Sequence, residues 1–98
     1  MMNHYIISRV ALNERGEVAR AEWSIAKNEN EPFSGPMVVD SNAVVQEIRR
    51  GARVFAHFPE GDHIVAVPVG IHAPRGDEAL VTRSTDGAGR PWSKVPSL

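Results

Sequence analysis

Asp40-Ser41-Asn42-Ala43-Val44-Val45-Gln46-Glu47-Ile48-Arg49-Arg50-Gly51 is the segment on which the fold turns. Asp40 is a residue type whose side chain satisfies the free N–H groups of a helix start, and Val39 stands where it can staple onto Val44. Val44, Val45 and Ile48 recur at helical spacing and make one narrow apolar stripe. Arg49 and Arg50 fall in the last turn, where cations favour the negative end of the dipole, and Gly51 supplies a left-handed stop. One short helix, capped by Asp40 and ending near Arg50, is therefore expected.

On the N-terminal side, residues 4–12 and 17–27 alternate apolar and polar positions around Asn13-Glu14-Arg15-Gly16. Asn first and Gly last suit a type I turn closed by a glycine bulge. The resulting register sets Ile7 opposite Trp23 and Tyr5 opposite Ile25. Tyr5, Ile7, Ala11, Ala19, Ala21, Trp23 and Ile25 then share the buried face, with Arg9 diagonal to Trp23 and able to cover the indole. Residues 28–36 read as a loop, and Met37-Val38-Val39 as a short strand.

Beyond the helix, residues 53–58 and 62–69 flank Pro59-Glu60-Gly61, a second turn signal. This turn sets Phe58 opposite Asp62 and His57 opposite His63. Pro68 has no N–H to give a ladder, so its strand is expected at an edge or ending there. Residues 78–83 make a last strand. The order ββ(β)αβββ predicts an α+β domain: a small antiparallel sheet built from two β-hairpins, with one helix packed on one face. Residues 1–83 form the single domain, and residues 84–98 a Gly/Pro-rich C-terminal tail, expected to dock on it through Trp92 rather than to be offered to a partner as an extended segment, the other reading its composition allows.

Composition narrows the function classes. A 98-residue chain with 42% hydrophobic and 23% charged residues suits one folded domain rather than a disordered segment. It has no cysteine, which removes thiolate catalysis, thiolate metal sites and disulfides, and favours a reducing compartment; the cytoplasm is expected. No stretch approaches the length of a membrane span. A net charge of −1 gives no general electrostatic attraction for nucleic acid, although nine arginines against two lysines favour bidentate contacts.

The C-terminal half resembles a family of short bacterial proteins of unknown function. The residues that carry the likeness are Ile48, Gly51, Phe55, Gly76, Leu80, Thr82, Asp86, Gly87, Val95 and Pro96. Thr82 and Asp86 stand one residue further apart than the family pattern has them, and residues 89–92 lack its Asn-Leu pair. The likeness implies an α+β fold and no particular activity.

Candidate sites are few. His57 and His63 form an expected cross-strand pair, but zinc wants three or four protein ligands and no spaced third ligand is present, so neither a metal nor another cofactor is expected. Asp77, Glu78 and Asp86 read as surface charge, and Thr82, Ser84 and Thr85 lack a nucleophile-elbow frame. Asp86-Gly87-Ala88-Gly89-Arg90 lacks the Gly-Lys-Ser/Thr ending of a phosphate loop. No catalytic residue can be assigned, which argues against an enzyme.

Arg49, Arg50, Arg53, His57, His63 and Trp92 remain as binding candidates. The leading expectation is a non-enzymatic binding module that meets an unknown protein partner, or itself, through a sheet edge. A nucleic-acid-associated protein using Arg49, Arg50 and Arg53 is one alternative. A small enzyme or metal-binding protein using His57 and His63 is the other. Binding to nucleic acid or to a membrane is not expected.

Overall fold

The computed structural model describes residues 3–28, 35–73, 78–82 and 90–98 of the chain. Among these, the elements run β1 (His4–Leu12), β2 (Val18–Ala26), β3 (Met37–Asp40), α1 (Ser41–Arg49), β4 (Arg53–Glu60), β5 (His63–His72) and β6 (Ala79–Thr82). The strands form one sheet in the order β3-β2-β1-β4-β5-β6, and α1 lies over one face. The chain is an α+β domain.

The helix forms as its sequence dictates. Asp40 Oδ1 accepts a hydrogen bond from the Ala43 N–H at 2.9 Å, and Gly51 stops the helix with a φ of 96°. Val44 and Val45 are buried against the sheet, and Ile48 packs beside them.

All strand pairs are antiparallel except β1 and β4, which run parallel between His4–Ile7 and Arg53–Ala56. The sheet is therefore mixed, where two hairpins alone suggest a wholly antiparallel one. Topology explains the difference. β3 points the same way as β1, because each is antiparallel to β2. Parallel strands need a crossover, and α1 is that crossover, carrying the chain over β2 and β1 before it re-enters as β4.

The first hairpin keeps its expected register at both ends. Gly16 N–H donates to the Asn13 carbonyl, Asn13 N–H donates to the Glu17 carbonyl, and Tyr5 and Ile7 face Ile25 and Trp23. Between them, two bulges intervene. Ser8 is an extra residue in β1 and Ala19 an extra residue in β2, so the two cancel. Within the bulged span the β1 side chains change face while Ala21 keeps its own: Val10, not Ala11, is buried opposite Ala21, and Ala19 is exposed. Arg9 is turned to face Glu22 and pairs with it at 3.9 Å, so it does not cover Trp23. Tyr5 does so instead, with ring centroids 4.1 Å apart.

The second hairpin departs further. Its loop is Gly61-Asp62, a two-residue connection with Gly61 at a φ of 61°, so Glu60 faces His63 and His57 faces Ala66. His57 and His63 are not neighbours. A shift by an odd number of residues also turns β5 over, which brings Val65 and Val67 onto the core side with Ala56 and Phe58. Pro68 does not mark an edge, because β5 lies between β4 and β6. It stands where β5 changes partners, pairing with β4 up to Pro68 and with β6 from Val69.

The C-terminal residues lie against the sheet. Past Ile7, β1 leaves β4, and Val10 bonds to the tail instead: its N–H donates to Pro96 and its carbonyl accepts from Leu98. Trp92 is buried and its Nε1–H donates to the Leu80 carbonyl at 2.8 Å. The Arg90 guanidinium pairs with Glu60 and stands 5.8 Å over the Phe58 ring. The junction at residues 83–84 lies outside the described residues.

Candidate functional site

β3 is one edge of the sheet, and α1 follows it directly. The turn from strand into helix leaves a wedge-shaped groove between them, with a volume of about 310 Å³. Its sheet wall is Tyr5, Trp23, Ile25, Met37 and Val39, and its helix wall is Ala43, Gln46, Glu47 and Arg50. The helix residues recur at i, i+3, i+4 and i+7, one face beside the Val44–Ile48 stripe. A concave apolar site with a few converging polar groups is the usual form of a binding pocket.

The polar wall is ordered by one chain of contacts. Tyr5 donates its hydroxyl to Glu47 Oε2 at 3.3 Å, and Arg50 donates to Glu47 Oε1 at 3.1 Å. Partial burial first, and the Glu47 carboxylate second, raise the Tyr5 pKa above its ordinary value. The phenol thus remains a donor at neutral pH. Glu47 has a donor on each oxygen, so the wall of the groove is polar but internally matched.

The mouth of the groove is apolar. Met37 is 54% exposed and Val38, on the other face of β3, is 51% exposed. No lysine, proline or bulge interrupts Met37–Val39, and the protection of this edge is confined to its four-residue length and the charge of Asp40 at its end.

The residues singled out from sequence are dispersed. Arg49 pairs with Glu78, and Arg50 with Glu47. Arg53 sits on β4 in register with His4, and strand alternation puts it on the face away from the helix. The three arginines do not converge. His57 is half-buried on the Arg53 face, whereas His63 is exposed on the other, near Glu60 and Asp62 at 3.7 and 3.5 Å. No group of three metal-binding side chains occurs among the described residues. Asp77, Ser84, Thr85 and the Asp86–Gly89 loop lie outside the described residues.

Trp92 is an anchor of the tail, with its indole spent on Leu80 and its ring against Phe58. Of the sequence candidates only Arg50 lines the groove. The signal for the rest was the helix face 43-46-47-50 beside an edge strand that is apolar from Met37 to Val39.

No helix among the described residues is long and apolar enough to cross a membrane. Compared with known proteins, the chain matches no family model, no curated protein and no solved structure, so its likeness to short bacterial proteins rests on the quoted residues alone.

Proposed function

We propose that this protein is a non-enzymatic binding module that takes an extended protein segment as an added strand along β3. The added backbone would satisfy the outer edge of β3, and alternate side chains would reach the groove beside α1. The observation that carries this reading is the uncharged edge at Met37 and Val38, each about half exposed, next to an apolar groove. The absence of cysteine fits residence in the cytoplasm.

Neither alternative has comparable support. Arg49 and Arg50 are held in ion pairs and Arg53 faces the other way, while His57 and His63 stand on opposite faces. The test is a photo-crosslinking amino acid placed at position 38 in living cells, with position 64 on the equally exposed Ile64 as control. A protein adduct at 38 and none at 64 is expected. No adduct at 38 of any kind would reject the reading.

A further inference from the structure

We infer that the strand added to β3 is β3 of a second copy of this chain, paired antiparallel about Val38; this rests on the strand-addition reading above. The argument is one of symmetry and register. A two-fold axis through a joined sheet keeps each copy's faces aligned, so every residue must oppose one on its own face. Neighbouring residues alternate faces, so the axis must pass beside a residue and not between two.

The sequence of the edge then selects the residue. An axis at Val38 sets Val38 against Val38 on the open face, and Met37 against Val39 of the second copy on the helix face. The pairs made by Met37, Val38 and Val39 are all apolar, and Asp40 falls opposite Pro36 only at the two ends of the overlap. An axis at Val39 would set Val38 against Asp40, whose carboxylate is already committed to the Ala43 N–H as the helix cap. An axis at Met37 would set Val38 against Pro36, which has no N–H to contribute. The Val38 axis alone gives each of Met37, Val38 and Val39 an apolar partner.

The same axis fills the groove. Met37 of the second copy lies beside Val39, on the side where Val39, Ala43 and Gln46 line the cavity. An unbranched thioether suits an irregular apolar gap, and the exchange is reciprocal. Met37 is thus at once the exposed side chain of one groove and the occupant of the other.

The chain contains no cysteine, which makes the register directly measurable. Residues directly opposed in an antiparallel pair have Cα atoms about 4.5–5.5 Å apart, within disulfide reach. Under mild oxidation, Val38→Cys should form a covalent dimer, and Met37→Cys mixed with Val39→Cys should form the mixed one. Ile64→Cys, equally exposed, should not. Sedimentation should show a wild-type dimer that Val38→Lys weakens by about tenfold or more.

A strict wild-type monomer with no Val38→Cys dimer would overturn the inference. In that case an adduct to a different protein at position 38 would leave strand addition standing, and no adduct would remove both. A dimer indifferent to Val38→Lys and to both cysteine pairings would also overturn it, by placing the interface elsewhere.

Discussion

Tyr5 and Glu47 meet at 3.3 Å, phenol to carboxylate, and tie the first strand of the sheet to the helix that crosses it. The contact closes the inner end of the groove, and Trp23 backs it with a stacked indole. A residue from each of three elements is thereby held in one arrangement.

Tyr5 is the only tyrosine in the chain, so its titration can be followed without assignment. Burial and Glu47 raise its folded pKa, so the contact stabilises the fold fully below the unfolded tyrosine value of about 10. That stability is lost as pH climbs from there through the folded pKa. The phenolate absorbance should appear above the ordinary midpoint, and Glu47→Gln should move it down. Tyr5→Phe should remove the tyrosine contribution to alkaline destabilisation, read as thermal midpoint against pH.

The two ends of α1 make separate, smaller contributions. Asp40→Ala should cost about 1 kcal/mol through loss of the bond to Ala43. Gly51→Ala should cost about 1–2 kcal/mol, because Gly51 is left-handed. Nothing lies within 4 Å of the position its Cβ would take, so that cost is conformational and not steric. Urea unfolding of the two single variants checks both.

Trp92 should be as important as a core residue despite its place near the C-terminus. Trp92→Ala should cost about 3–5 kcal/mol by leaving a cavity beside Phe58. Trp92→Phe should cost less, about 1–3 kcal/mol, mainly by leaving the Leu80 carbonyl without its indole donor. The ranking of the two in chemical denaturation is the check.

His57 and His63 should behave independently. They stand on opposite faces of the second hairpin, opposite Ala66 and Glu60 respectively. In a double-mutant cycle of His57→Ala and His63→Ala, the coupling should stay below about 0.5 kcal/mol. Coupling well above that would restore the cross-strand pair.

The helix was legible because a cap, a stripe and a stop all lie within twelve consecutive residues, from Asp40 to Gly51. The first turn was legible for the same reason: Asn13 uses its own side chain to hold the N–H groups of Arg15 and Glu17. The Ser8 and Ala19 bulges were not, since they cancel and leave the register at either end unchanged.

The second turn misled because Gly61 is equally at home closing a three-residue loop or opening a two-residue one, and the choice inverts β5. The parallel junction of β1 and β4 joins segments far apart in sequence, and no local pattern encodes which edge a hairpin will meet. Of the groove, the Tyr5–Trp23 side of the first hairpin could be read from alternation. Its helix wall could not, because the facing of Glu47 and Arg50 toward β3 depends on where the crossover lies.

Val10 sits near the start of the chain and Ser97 near its end, yet they form a parallel bridge. This has a kinetic consequence. The two hairpins close over short loops and can form early, but β1 acquires its remaining partners only after β4 and then the tail have arrived. Such sequence-distant pairings bear the loop-closure entropy late and slow the search. During synthesis the Val10 end of β1 stays open on that side until residues 96–98 emerge, so the middle of the sheet is completed well after both of its hairpins have been made.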